Sequence, residues 1–159
     1  MEIREIKQED NADLAVVLKS VLIEMGVPKT GTAYEDPELN TMFEAYQGER
    51  SRYYVITDNN KILGGAGIAP LKAESPSICE LQKMYFSPQA RGLGMGYQMI
   101  VKCLDFAKVA GFELSYLETL PNMKAAQKLY QKLGFEYIPN ALGKTGHTSC
   151  SVWMTKALL

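Results

Sequence analysis

From Glu80 to Gly96 the chain reads Glu-Leu-Gln-Lys-Met-Tyr-Phe-Ser-Pro-Gln-Ala-Arg-Gly-Leu-Gly-Met-Gly, and this stretch constrains the fold more than any other. An apolar-rich strand is stopped by Pro88, which has no N–H to give to a ladder. A basic, glycine-spaced turn follows, and from Tyr97 the apolar residues Ile100, Val101, Leu104 and Ala107 recur with helical period. A strand feeding a glycine-rich turn that opens a helix is a phosphate site in outline. Successive N–H groups turn inward, and the helix N-terminus carries a partial positive charge. Arg91 stands just before the turn, where a guanidinium can reach a phosphate.

Two familiar phosphate loops fail here. The triphosphate loop needs Lys-Ser or Lys-Thr after its last glycine, whereas Gly96 is followed by Tyr97 and Gln98. The dinucleotide fingerprint is G-x-G-x-x-G, whereas Gly92, Gly94 and Gly96 fall at every second residue. The net charge of −1 carries no long run of either sign, which disfavours an electrostatic nucleic-acid binder. No segment approaches a membrane span and the N-terminus has no apolar signal region. Cys79, Cys103 and Cys150 are odd in number, and with the single histidine, His147, they form no zinc pattern. The expectation is a cytoplasmic, reduced, metal-free protein, with residues 1–159 as one domain.

Taken in order, residues 2–7 make a short strand. Leu14, Val17, Leu18, Val21, Leu22 and Met25 lie on one face of a helix stopped by Gly26 and Pro28. Asp36-Pro37 opens a second helix as cap and first-turn proline, with Leu39, Met42, Phe43 and Tyr46 on one face. Tyr53–Thr57 and Ile62–Ala69 form a hairpin whose glycines at 64, 65 and 67 predict a bulge or a close backbone approach. Cys79–Phe86 is the next strand, the helix from Tyr97 ends near Gly111, and Leu114–Leu120 is again a strand. Asn122 caps a helix with Ala125, Ala126, Leu129, Tyr130 and Leu133 inside, ended by Gly134. Phe135–Ile138 and Ser151–Thr155 close the chain around a polar loop, Asn140–Thr148. The order β-α-α-β-β-β-α-β-α-β-β gives an α/β mixed sheet with helices on both faces.

Arg91-x-x-Gly94-x-Gly96 after Leu-x-x-Met-Tyr-Phe-x-Pro resembles the acyl-CoA pyrophosphate loop of the GNAT (GCN5-related) N-acetyltransferases. Asn122-x-x-Ala125-x-x-x-x-Tyr130-x-x-x-Gly134-Phe135 resembles the second signature of that family. Its tyrosine stands five positions after Ala125 rather than four, and Ala126 restores the usual step. The element order matches the GNAT fold along the whole chain. The resemblance implies acetyl transfer from acetyl-CoA to an amine by direct attack in a ternary complex. It further implies that the Cys79–Phe86 and Leu114–Leu120 strands splay to admit the pantetheine. Met84, Tyr85 and Phe86 would line that slot, and the Arg91, Gly92, Leu93, Gly94, Met95, Gly96 turn would hold the pyrophosphate. Asn122 and Ala125 would contact the pantetheine arm. Tyr130 is the implied acid toward the sulfur, and a backbone N–H near Met84 would polarise the thioester.

For the base that frees the amine, the reading favours Glu80, with Glu118 and His147 as alternatives. His147 reads as a surface or substrate-contacting residue, and Cys79 and Cys150 as small apolar ones. Tyr130 also falls on a buried helical stripe, so core packing competes with catalysis. The expected acceptor is a small-molecule primary amine, chosen by the first two helices, residues 27–35 and the loop Asn140–Thr148. A non-catalytic acyl-CoA-binding module, or an acetyltransferase for protein N-termini or lysines, are the alternatives. Dimers are common in folds resembling this one, so a homodimer is open to this chain, but the sequence does not fix the oligomer.

Overall fold

The computed structural model describes all residues from 1 to 159. Its strands are β1 (Glu2–Glu5), β2 (Arg52–Asp58), β3 (Lys61–Pro70), β4 (Ile78–Phe86), β5 (Leu114–Thr119), β6 (Glu136–Ile138) and β7 (Val152–Ala157). Its α-helices are α1 (Asn11–Glu24), α2 (Met42–Ala45), α3 (Met95–Val109) and α4 (Lys124–Lys132). The strands form one sheet in the order β1-β2-β3-β4-β5-β7-β6, antiparallel throughout except where β4 meets β5 across the α3 crossover. One face packs on α3 and α4 through Ile56, Leu81, Met99, Ile100, Leu117 and Tyr130. The other face packs on α1 and the 33–46 segment through Leu14, Leu18, Met42, Tyr46 and Tyr53.

Two expected elements differ. The second helix is broken at Thr41 into a 3-10 turn, Pro37–Asn40, and the single turn α2. The Asn11 side chain causes this: its Oδ1 accepts from Phe43 N–H at 2.8 Å and so caps the second piece separately. Asp36 makes no capping bond, because its carboxylate is turned toward His147 and Lys83. At the fourth helix, Asn122 is not the cap either. The helix begins at Lys124, and Asn122 Nδ2 instead donates to the Met25 carbonyl at 3.4 Å. Gly134 ends that helix as expected, at φ +97°, with Phe135 N–H donating to Tyr130 C=O at 3.0 Å.

The glycines of β3 produce both of the anticipated effects. The β2–β3 register shifts beside Gly64. At Gly65 an added Cβ would lie within 2.4 Å of the Tyr53 ring, and at Gly67 within 2.6 Å. These bare positions let the Tyr53 ring lie flat across β3, so that its hydroxyl donates to the Lys83 carbonyl at 2.9 Å.

That carbonyl belongs to a second irregularity, which lies in β4. Gly67 pairs with Gln82 but Gly65 pairs with Tyr85, so Lys83 and Met84 together oppose Ala66, and Lys83 takes φ +50°. The extra residue changes which way β4 faces. Glu80, Gln82, Lys83 and Tyr85 serve the α1 face, whereas Leu81, Met84 and Phe86 serve the α3 face. We expect Gly65→Ala to destabilise the protein by about 1–3 kcal/mol, through overpacking against Tyr53. Tyr53→Phe, which strips one buried partner from Lys83, should cost about 1 kcal/mol. Urea unfolding measures both.

Candidate functional site

Only the first three residues of β4 are paired with β5: Ile78 with Leu114, Cys79 with Ser115, and Glu80 with Tyr116. Beyond Glu80 the strands part, and a cleft of about 540 Å³ opens between them. It is lined from both faces of the sheet: Leu81, Met84, Phe86 and Leu117 from one, Lys83, Tyr85 and Glu118 from the other. The cleft therefore passes through the sheet, with different chemistry at its two ends.

At one end lies the glycine turn. Gly92 (φ +72°) and Gly94 (φ +77°) take left-handed conformations in open space, so glycine serves the backbone there rather than packing. Gly94 precedes α3 and offers no side-chain cap, so the N–H groups of Met95, Gly96 and Tyr97 have no partner within the helix. Such a terminus suits an anion. Gly96 serves packing instead, since an added Cβ would lie 2.8 Å from the Leu129 side chain. The Arg91 guanidinium forks onto Glu24 at 2.8 and 2.9 Å, and its Nε donates to Phe86 C=O at 2.9 Å. It thus ties the end of β4 to the end of α1 while lining the cleft.

At the other end is a chamber of buried charge. Glu80 is 6% exposed, and its Oε1 accepts from Gln82 Nε2 at 2.6 Å; Gln82 in turn accepts from the Tyr46 hydroxyl at 2.5 Å. Burial first, then the neighbouring Glu118 charge, pushes the Glu80 carboxyl up to about 7. Glu118 accepts from the Tyr116 hydroxyl (2.6 Å) and from the Thr145 hydroxyl (2.5 Å). Lys83 Nζ lies 3.3 Å from Asp36 and 3.2 Å from Glu38. His147 Nε2 reaches Asp36 at 2.8 and 2.9 Å. Burial opposes the charge on both members of that pair, but their mutual attraction wins: His147 is held above its usual range and Asp36 below.

Tyr130 belongs to the α3-side wall of the cleft. It is buried against Phe135 edge to face at 5.9 Å and lines the cleft. Burial alone pushes its hydroxyl up to about 12, and no protein group hydrogen-bonds it.

Of the residues singled out from sequence, Met84, Tyr85, Phe86, Arg91, Gly92, Gly94, Gly96, Asn122, Ala125 and Tyr130 line this one cleft. Leu93 is exposed and the Met95 side chain is in the core, so those two border the turn through backbone alone. Glu80 sits behind the lining, whereas Glu118 is part of it. Lys83, Lys124 and Lys132 also line the cleft without having been anticipated. Lys83 carries no sequence signal, because strict alternation along β4 would turn it to the opposite face. The lysines of α4 were legible as cations near a helix whose apolar face had already been assigned.

Residues 20–135 match the family model described as the acetyltransferase (GNAT) family. Over 98% of its length the chain is 39% identical to an Escherichia coli (strain K12) protein named "Uncharacterized N-acetyltransferase YjgM", covering 93% of that protein. Among solved structures, a GNAT-family acetyltransferase from Staphylococcus aureus Mu50 has a TM-score of 0.86 at 20% identity, with 99% of each chain covered. A Salmonella typhimurium protein described as a putative acetyltransferase with its cofactor acetyl-CoA scores 0.80 at 19% identity, over 100% of this chain and 94% of that one. At these identities the two structures show a shared fold.

The buried carboxyl makes stability depend on pH. Glu80 rises from an ordinary 4.5 to about 7, so its contribution is full below 4.5 and is lost as pH rises through 7. Glu80→Gln should therefore gain on the wild type, by on the order of 1–3 kcal/mol, between about pH 4.5 and pH 8. Denaturant melts at the two pH values read the difference, and parallel profiles would refute the assignment.

Proposed function

The chain belongs to the GNAT acetyltransferase family, and from that premise we propose that it moves an acetyl group from acetyl-CoA to the primary amine of a small molecule, with donor and acceptor held together. The observation that carries this reading is the cleft that crosses the sheet where β4 leaves β5. One opening thus reaches from an anion-ready helix terminus to Glu118, behind which Glu80 lies.

The lining fits the donor. The uncapped start of α3, with Arg91, Lys124 and Lys132 around the cleft, suits its phosphates. Beyond Glu80, β4 offers an unpaired edge that an extended pantetheine arm can join as a strand does, flanked by Met84, Tyr85, Phe86, Asn122 and Ala125. Bound there, acetyl-CoA supplies the thioester carbonyl that an amine attacks.

The chain's own groups meet the other demands. An ammonium has no lone pair, so the acceptor must first lose a proton. Glu80, at about 7, is a stronger base than an ordinary carboxylate and is ionised to a useful extent near neutrality. Glu118 is the second candidate base, favoured by its place in the cleft lining. The bulge at Lys83–Met84 leaves an extra backbone unit outside the ladder, and we assign it the thioester oxygen. Tyr130 faces the departing sulfur. Its hydroxyl stays protonated to about 12, while a thiol has a reference pKa of roughly 8.5, so full proton transfer from it is uphill. Tyr130 therefore acts by donating a hydrogen bond to the thiolate.

A small acceptor suits a chamber in which Glu80 and Lys83 are almost fully covered. We take residues 1–159 as a single catalytic domain, since one sheet carries both walls of the cleft. Three unpaired cysteines suit the reducing cytoplasm. No helix is long and apolar enough to cross a membrane.

Acetyl-CoA at a hundredfold over its dissociation constant should add about 2.7 kcal/mol. That raises the melting temperature by about 5–10 °C, where ATP and NAD do not. No shift would remove the reading. With an amine found by screening thiol release, Tyr130→Phe should lower turnover by about 10–100-fold, the worth of one hydrogen bond to a charged group. Its acetyl-CoA affinity should be nearly unchanged. Arg91→Ala should instead weaken acetyl-CoA binding, measured by titration calorimetry.

A further inference from the structure

The connection between β6 and β7, residues 139–151, roofs the charged chamber and is tied down along its length. Lys144 N–H donates to Lys72 C=O at 2.9 Å, and Leu142 N–H to the Tyr116 hydroxyl at 3.2 Å. The Thr145 hydroxyl donates to Glu118 at 2.5 Å, and His147 holds Asp36 at 2.8 Å. Ser149 N–H donates to Gly31 C=O at 2.9 Å, and the Ser149 hydroxyl to Thr30 C=O at 3.0 Å. None of residues 139–151 is fully buried, and apart from the packing of Cys150 on the α1-side core the segment is held mainly by polar contacts. Segments of that kind open locally at low cost.

Beneath it Glu80 is 6% exposed and Lys83 8%. Glu80 is thus closed to an acceptor in this arrangement, and the bonds of Thr145 to Glu118 and of His147 to Asp36 set the segment against the groups around it. We propose that residues 139–151 form a lid over the acceptor chamber, and that His147, paired with Asp36, is the positioning residue that latches it. The proposal rests on reading the Glu80–Glu118 chamber as the acceptor site.

The latch joins the lid to the 27–36 segment, the other wall of the chamber. When it opens, Asp36 keeps Lys83 at 3.3 Å, so no bare carboxylate is left buried. The groups facing His147 are Asp36 at Nε2, Glu118 3.9 Å from Nδ1, and the charges of Glu80 and Lys83, with Glu38 beyond on Lys83. Burial opposes the imidazolium, but the bond and charge of Asp36 outweigh it and raise His147 above 6.5. The latch is therefore charged at pH well below the raised value and weakens as pH rises through it. Glu80 ionises near 7, and its negative charge prolongs the hold.

The lid carries its own reporter. Cys150 is half-buried in it, whereas Cys79 and Cys103 are fully buried in the core. Burial, with Glu118, Glu80 and Asp36 nearby, pushes the Cys150 thiol up to about 12, so it reacts readily only when the lid lifts.

The test is the rate at which an aromatic disulfide labels each cysteine in the full chain, scaled to a free model thiol at each pH. At about pH 6, His147→Gln should label Cys150 on the order of tenfold faster than wild type, matching the loss of a charged hydrogen bond. The wild-type rate should approach that of the variant as pH rises, while Cys79 and Cys103 stay unlabelled. Hydrogen exchange should rise within residues 139–151 alone. Equal Cys150 rates in the two proteins would overturn the latch. Simultaneous labelling of all three cysteines in the variant would also overturn it, by showing that His147 supports the whole fold. Labelling involves no acetyl transfer, so failure here leaves the acetyl-CoA reading standing, and that reading is decided separately by the melt.

Discussion

The hydrogen bond from the Tyr53 hydroxyl to the Lys83 carbonyl is the contact on which the rest of the site depends. It exists because β3 is bare at Gly65 and Gly67, so that a tyrosine from β2 can lie across one strand and reach the next. The carbonyl it holds belongs to the bulge, and the bulge decides the two faces of β4. With Lys83 turned to the same side as Gln82, the chamber gains a cation. With Met84 returned to the α3 side, the cleft gains an apolar wall.

Burying this much charge is costly unless each group is paired. Here the pairing is nearly complete, and it spans four separate parts of the chain. Asp36 and Glu38 hold Lys83, Asp36 also holds His147, and Glu118 takes hydroxyl protons from Tyr116 and Thr145. Burial, with the Glu118 charge nearby, makes the Glu80 carboxyl resist ionisation, and the single Gln82 amide offsets this only in part. A buried carboxyl of raised pKa thus follows where one carboxylate is left with the poorest partner. The same pairing binds the polar loop after β6 to the loop after α1, so the charges of the chamber and the packing of these two loops share one set of contacts.

Much of this was legible in the sequence. The period change after Phe86 and the glycines at 92 and 94 located the turn and α3, and the stripe ending in Gly134 located α4 with Tyr130 on its inner face. Such features are local, because they depend on backbone sterics and on which side of a helix is apolar. The misreadings were equally physical. Asp36-Pro37 has the form of a helix cap, but its carboxylate is taken by a histidine 111 residues away. Asn122 has the form of a cap too, yet it donates to the end of α1. A short polar side chain has several available partners, and local pattern cannot rank a distant charge against a near N–H.

The sequence by itself determined the element order, the two faces of the sheet, the anion-ready turn and the family to which these belong. Those follow from hydrophobic period, glycine and proline placement and residue spacing, all read within a few turns of chain. Tertiary structure alone decided that Glu80 is buried and Glu118 lines the cleft, that Lys83 faces the chamber, and that His147 closes on Asp36. Each of these depends on one inserted residue in β4 or on loops meeting across the sheet. A one-residue change of register reverses a side chain, and charge acts through space rather than along the chain.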